Sequence, residues 1–521
     1  MKTRMQNEST SRTKNSIVNI IFSFGGQLVD LVARFLLRTV FIYTLGKEYL
    51  GLSGLFGNIL SILSLADLGI GVAITFSLYR PIEENDEAKI KVLMRVFKKT
   101  YILVGSFVLI VGTALTPFLE VFIKDMPENI PNIRLIYVLF VINAAISYFY
   151  SYKSSYIIAN QKNYIVTNNR YLMNLFCAIV QSVVLFVYGN YIAFLIVQIA
   201  FTMIQNIVIS RKADKMYPFL KVPTDEKLDD ETKTTIVANV KALIIQRVSS
   251  VIVFSTDNLL LSKIFGLVIV GLYSNYTLVI NALEAILNQF FSAITASIGN
   301  LGVNADKEHQ EEIFFVTYFV DFWMYSFSAI ALGTLFQPFI NIWVGDSYLM
   351  TTGCVCFIVM NFYLKGMRQA VVTFNNAFGM MQYFRYVPVW ECIINIGASI
   401  GLALIFGPVG IFIGTTISTL AVPFWFEPMI LFKHGLDDNS AKFFGKFAGY
   451  TIFTAAVMAL MLFLTNLIGV GGLLGFILKV LITGFVPNVL VILVFFKSRE
   501  IGYLKGVAKR VVKKNVKNRF K

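Results

Sequence analysis

"GTALTPFLEVFIKD" occupies residues 112–125 and "GTLFQPFINIWVGD" occupies residues 333–346. The two share Gly, Thr, Pro, Phe and Asp in register, 221 residues apart. At an offset of 220, Asn19 meets Asn239, Gly46 meets Gly266, and Gly51 and Leu52 meet Gly271 and Leu272. At the same offset "AITFS" (73–77) meets "AITAS" (293–297). Apolar segments share Leu and Ile by chance, whereas matched Gly, Pro, Asn and Asp at a near-constant offset mark a duplicated unit.

Composition says what kind of unit it is. Of 521 residues, 56% are hydrophobic, 15% aromatic and only 14% charged, and the mean hydropathy is +0.70. A soluble chain of this size carries far more surface charge. The apolar residues come in runs such as "YILVGSFVLIVGTALTPFLEVFI", and runs of about 20 residues match a hydrocarbon core about 30 Å thick. The expected fold is an all-α polytopic membrane protein with about fourteen transmembrane helices. They fall near 17–45, 48–79, 100–123, 134–158, 169–188, 191–210, 236–262, 268–300, 313–343, 353–378, 388–406, 409–432, 445–466 and 472–496.

The repeat covers the first twelve. Six helices per copy is an even number, so the copies share one orientation about an axis along the membrane normal. The organisation expected is a segment 1–16, an N-lobe at 17–210, a linker at 211–235 and a C-lobe at 236–432. Two extra helices follow at 445–496, then a basic tail at 497–521. Two parallel lobes around a central cavity are an arrangement for alternating access.

Lys and Arg set the orientation. The termini and alternate loops hold 32 of the 45 basic residues, and the opposite loops hold only Lys47, Lys124, Arg134 and Lys263. The positive-inside rule makes the first side, both termini included, cytoplasmic. The +15 net charge is thereby explained without a nucleic-acid partner. The tail repeats Val507, Val511, Val512, Val516 and Phe520 at helical spacing among basic residues. It reads either as an amphipathic helix on anionic lipid or as a basic tail that only fixes topology. Cys177, Cys354, Cys356 and Cys392 lie in apolar segments without metal or redox spacing, and His309 and His434 lie in separate loops. No metal site, catalytic residue, cofactor motif or Walker sequence is expected.

"QLVDLVARFLLRT" (27–39) places Asp30, Arg34 and Arg38 four apart, within an arc of about 80° on a helix. If the helix leaves the membrane before Gly46, Arg34 sits near the midplane, where a charge costs at least about 2.5–3.5 kcal/mol. A self-neutralising Asp30–Arg34 pair leaves Arg38 unexplained, so a water-filled, substrate-facing cavity is expected. Lys365 and Arg368 share a face in the middle of the tenth helix, and Arg247 lies one to two turns from the midplane of the seventh. Lys153 divides between cavity and snorkelling, whereas Lys241 and Lys479 read as interfacial anchors. The deep acids Asp30, Asp67, Asp257 and Glu284 read as sites for a coupling proton or Na⁺, or as counter-ions of nearby Arg. Asp321, Glu391 and Glu427 fall near cytoplasmic helix ends, where no special role is expected. Clustered Arg and Lys favour an anionic ligand, since a guanidinium fork suits phosphate oxygens.

The "LGKEYLGL" turn (45–52), the "LADLGIG" helix end (65–71) and the "PFINIWVG" helix end (338–345), with the 6 + 6 + 2 layout, carry a resemblance. The chain resembles the polysaccharide (Wzx-type) flippases of the multidrug/oligosaccharidyl-lipid/polysaccharide exporter superfamily. The resemblance spans essentially the whole chain. It implies translocation of undecaprenyl-diphosphate-linked oligosaccharide units from the inner to the outer leaflet of a bacterial inner membrane, for capsular, exo- or O-antigen polysaccharide. Drug/cation antiporters and lipid II flippases of the same superfamily are the alternatives. The expected partners are the lipid-linked oligosaccharide diphosphate, membrane lipids, a polysaccharide polymerase and glycosyltransferases, and the chain is expected to be a monomer. A membrane enzyme is disfavoured, because the outer loops are short and lack paired carboxylates.

Overall fold

The computed structural model describes residues 25–64, 70–124, 127, 129–149, 151–222, 224, 226, 228, 234, 256–380, 383–384, 386–507 and 509. Among them the chain is helical throughout, with no strand. The first unit begins with α1 (25–45), α2 (Lys47–Leu63), α3 (Ile70–Glu83) and α4 (Glu87–Ala114). It continues with α5 (Ile133–Phe149), α6 (Tyr152–Ala159), α7 (Asn163–Tyr188), α8 (Tyr191–Met216) and α9 (256–265). Then come α10 (Leu267–Asn304), α11 (Lys307–Val344), α12 (Thr352–Gly366), α13 (Gln369–Ala377), α14 (Val387–Phe406) and α15 (Pro408–Ala421). The chain ends in α16 (Pro423–Leu431), α17 (Ala441–Asn466), α18 (Gly472–Phe495) and α19 (499–507). Among the described residues ten helices are long and apolar enough to cross a membrane, and the α5–α6 pair, bent by 45°, makes an eleventh if taken as one span. The expected helices at 17–45, 48–79 and 236–262 each include residues outside the described set. The chain is a multi-pass membrane protein.

The repeat is visible atom by atom. Gly46 (φ 84°) and Gly266 (φ 91°) are the single residues joining α1 to α2 and α9 to α10. A positive φ is open to glycine without the steric cost a Cβ brings. The Gly46 N–H donates to the Ile42 carbonyl at 3.1 Å, and the Gly266 N–H donates to the Ser262 carbonyl at 3.0 Å. Positions 42 and 262 are again 220 apart. One turn on, α2 and α10 cross at close range. A Cβ on Gly51 would stand 1.9 Å from the Leu267 carbonyl oxygen, and one on Gly271 would stand 2.3 Å from the Lys47 carbonyl oxygen. Residues 47 and 267 are repeat mates, as are 51 and 271, so one contact is made twice with the roles exchanged.

Packing divides the chain into two compact units, Met1–Gly271 and Leu272–Lys521. The division falls inside α10 and not in the 211–235 linker, because Leu267 and Gly271 pack on α2. In the first unit Leu78 of α3, Ile90, Leu93, Phe97 and Tyr101 of α4, and Tyr156 of α6 form one core cluster. Helix α4 begins at Glu87, with the Asp86 side chain capping the Lys89 N–H at 2.9 Å. Most of the expected loop 80–99 is therefore helix. In the second unit the two helices outside the repeat dock on α11. Phe322 stacks on Tyr450 of α17 at 4.0 Å between centroids, and Trp323 Nε1 donates to Asn488 of α18 at 2.7 Å. Lys446 of α17 then reaches Glu500 of α19, tying down the start of the tail.

Candidate functional site

On α1 the carboxylate, not the guanidinium, is enclosed. Asp30 is 7% exposed. It accepts from Arg34 Nε at 2.8 Å and from Asn174 Nδ2 of α7 at 2.8 Å. Arg34 keeps 64% of its side chain exposed. The Asp30 carboxylate thus orients one edge of the guanidinium while most of the Arg34 side chain faces outward. Arg38, one turn further along, is half-buried and in electrostatic contact with the Tyr191 hydroxyl at the start of α8. The rings of Phe41, Tyr49 and Phe194 surround Tyr191 with centroid distances of 5.2–5.7 Å.

The fourth and tenth helices of the expected count are both broken. The fourth bends between α5 and α6, and the tenth is interrupted at Met367–Arg368 between α12 and α13. Each break has a cation beside it, held by an acid on the last helix of its own six. Lys153 Nζ of α6 lies 2.7 Å from both carboxylate oxygens of Asp214 on α8. Arg368 meets Glu427 of α16 in a two-point fork, Nε to Oε2 at 3.0 Å and Nη2 to Oε1 at 2.7 Å. Glu391 of α14 stands 3.9 Å from the same guanidinium, and Thr419 donates to Glu391 at 3.3 Å. Such fork geometry joins direction to charge. The Arg368 side chain is 13% exposed.

Lys365 has a different setting. Its Nζ lies 2.8 Å from both oxygens of Glu284 on α10, with the lysine 45% exposed and the glutamate 17%. As on α1, the acid is enclosed and the cation faces outward. Asp321 of α11 is fully buried and accepts the Ala370 N–H at 3.0 Å, in the first turn of α13.

Of the residues singled out from sequence, Arg34 and Lys365 are therefore outward-facing cations on enclosed acids. Lys153 and Arg368 are closed into ion pairs instead of presented to a cavity, because Asp214 and Glu427 take their hydrogen-bonding edges. Asp30 and Glu284 are the counter-ions of Arg34 and Lys365. Asp257 is buried in α9. Asp67 and Arg247, and also Lys241, lie outside the described residues. Asn174 and Asp214 were not singled out from sequence. Glu391, Glu427 and Asp321 are corrected from ordinary helix-end acids to enclosed members of polar clusters. The repeat gives no signal for these pairs, since Asp214 and Glu427 lie 213 apart and their cations 215 apart, off the 220-residue register. Among the described residues no group of three or more His, Cys, Asp or Glu is placed to hold a metal ion.

No protein-family model and no curated protein sequence matches the chain. Solved structures do. The lipid II flippase MurJ in an inward closed conformation superposes with a TM-score of 0.64 at 12% identity, over 92% of this chain and 99% of that one. An inward-facing multidrug resistance MATE family transporter of the MOP superfamily gives 0.60 at 14%, over 78% and 94%. The Vibrio cholerae MATE transporter VcmN gives 0.57 at 13%, over 82% and 99%. At these identities the likeness is one of fold. The chain has the fold shared by a lipid II flippase and the MATE transporters of the MOP superfamily.

Proposed function

We propose that this protein is a flippase that carries an undecaprenyl-diphosphate-linked oligosaccharide unit from the inner to the outer leaflet by alternating access. On this reading it performs no chemistry on its cargo. It works in a bacterial inner membrane with both termini cytoplasmic, beside the glycosyltransferases and polymerase that make and consume such units. The observation that carries the reading is Arg34. Its carboxylate partner is buried and doubly hydrogen-bonded, while the guanidinium side chain stays exposed on an apolar helix. Placing that charge in a membrane is costly, and an anionic ligand offsets the cost. Lys365 on Glu284 repeats the arrangement in the second unit.

In this scheme a diphosphate is met by Arg34, with Arg38 and Arg247 supplementing it, and Lys365 offers a second such cation within its own unit. Arg368 and Lys153 act by holding their broken helices, and they reach the ligand only when Glu427 or Asp214 lets go. Asp30 and Glu284 orient the cations, and Asp67 and Asp257 remain the acids to test for a coupling proton or Na⁺. The decisive experiment is complementation of a strain lacking its polysaccharide flippase. Arg34→Gln should abolish it with normal expression, and Arg34→Lys should retain part of it. Full activity of Arg34→Gln overturns the diphosphate role. Export of a cationic drug by the Gln variant and the parent alike would place the protein with the cation antiporters.

A further inference from the structure

The second unit carries a cavity of about 610 Å³, walled by the start of α11, the first turns of α17 and the first turn of α19. Its apolar lining is Phe315 and Val316, both buried. The rest of the lining is charged, and most of those charges are already matched. Lys442 of α17 lies 2.9 Å from both Glu311 of α11 and Asp438. Lys446 pairs with Glu500 of α19 and sits 5.0 Å from the centre of the Phe315 ring. The Asp306 carboxylate accepts the His309 N–H at 2.9 Å, and Glu312 faces His309 Nδ1 at 3.1 Å. Two exposed lining groups remain, Glu308 on α11 and Arg499 on α19. Among the described residues neither forms an ion pair, with the other or with a third group.

The helices around the cavity say what medium it opens to. Helix α17 has 26 residues, a length of about 39 Å against a hydrocarbon core of about 30 Å. Its first turns, with Lys442 and Lys446, therefore stand among lipid headgroups. Helix α19 starts four residues after α18 ends, and Lys505 returns to lie 3.6 Å from the centre of the exposed Phe496 ring. So α19 stays beside the end of that span, at headgroup level. An occupant must suit this layer and bring one charge of each sign. Five carboxylates and three cations line the cavity, so an anion alone is repelled and a zwitterion is not. A primary ammonium offers three donors on a compact charge and suits Glu308, and a phosphate suits the Arg499 fork. Both contacts gain strength beside Phe315 and Val316, which exclude water.

We propose that this cavity is a binding site for the headgroup of a phospholipid that carries a primary ammonium, in the leaflet on the side of the C-terminal tail. The ammonium is held at Glu308 and the phosphate at Arg499. The lipid thereby bridges α11, a helix of the repeat, to α19, which follows the two helices outside it. No bond is made or broken. The site is independent of the cargo reading above.

The test uses the full chain in detergent and follows the thermal unfolding midpoint. The titrants are short-chain phosphatidylethanolamine, phosphatidylcholine and phosphatidylglycerol, and free phosphoethanolamine. A ligand that binds only the folded state raises the midpoint with its concentration. Phosphatidylethanolamine should act at concentrations about tenfold below phosphatidylcholine, whose quaternary ammonium has no N–H to donate. Glu308→Gln and Arg499→Gln should each weaken the phosphatidylethanolamine response about tenfold, and only Arg499→Gln should weaken the phosphatidylcholine response. Both residues are exposed, so the untitrated midpoint should stay near that of the wild type. Equal responses to the ethanolamine and choline lipids, or a Glu308→Gln response equal to wild type, overturn the ammonium contact. An unchanged response in Arg499→Gln overturns the phosphate contact. A stronger response to phosphatidylglycerol overturns the zwitterion and marks a site for anionic lipid. A response to free phosphoethanolamine as strong as to the lipid overturns the lipid assignment in favour of a soluble ligand.

Discussion

The crossing of α2 and α10 offers a quantitative test of the repeat. Gly51→Ala places a Cβ 1.9 Å from the Leu267 carbonyl oxygen, and Gly271→Ala places one 2.3 Å from that of Lys47. Ordinary contact begins at 3.4 Å, so the helices must part by about 1.5 Å and about 1.1 Å, and overpacking of this kind costs about 1–3 kcal/mol. Against this, Ala is favoured over Gly inside a helix by about 1 kcal/mol. Gly57 of α2 supplies the control, because a Cβ there meets nothing within 4 Å. Gly57→Ala should raise the thermal unfolding midpoint, and each of Gly51→Ala and Gly271→Ala should lower it. The double variant is the sharper measurement. A single parting of the two backbones relieves both clashes, so the double should fall short of additive by about 1–3 kcal/mol. The assay is thermal unfolding in detergent, followed by tryptophan fluorescence. Strict additivity, or a Gly51→Ala protein as stable as Gly57→Ala, would refute the reciprocal contact.

Three further outcomes are expected. Arg368→Met alone leaves the enclosed Glu427 and Glu391 unmatched and should cost about 3–5 kcal/mol, while the triple Arg368→Met/Glu427→Leu/Glu391→Gln should recover most of it; equal losses in the single and the triple, measured by the unfolding midpoint, would argue against the fork. Burial pushes the Glu500 carboxyl up, but hydrogen bonds, that from Lys446 foremost, outweigh it and hold the group below the usual glutamate range. A depressed folded value gives stability that is present above the unfolded pKa of about 4.3 and lost as pH falls through the folded one. Glu500→Gln should therefore flatten the acid limb of the midpoint-versus-pH curve, and superimposable curves would remove the pairing. Lys124→Cys should react with an impermeant thiol reagent on intact cells and Lys215→Cys only after permeabilisation; the reverse pattern inverts the direction of transport.

Periodicity and glycine placement make the frame readable from the sequence. Gly46 and Gly266 match by offset alone, and at their positive φ any other residue would be strained. At the start of α4 six basic residues in 80–99 suggest a loop where the chain is helical. Yet Ile90, Leu93, Met94 and Phe97 recur at helical spacing and are all buried. The two breaks differ in legibility. Ser151 is not a helix breaker, so the α5–α6 bend has no local signal there, whereas the α12–α13 interruption directly follows Gly366, a weak helix former. Pairings such as Lys153 with Asp214 and Arg368 with Glu427 join residues 61 and 59 apart, a separation at which no local pattern operates. Arg34 was legible as a costly charge, but the burial of its partner by Asn174 was not.

The ion pairs beside the two breaks also say what holding such a break requires. Lysine and aspartate stand at one break and arginine and glutamate at the other, 215 and 213 residues apart and so off the 220-residue register of the repeat. What the two share is opposite charge on two helices, from residues 61 and 59 apart in the chain. Where a helix's own hydrogen-bond ladder is interrupted, such a pair braces it from a neighbouring helix, so a broken span is held without any one residue type being required at the break.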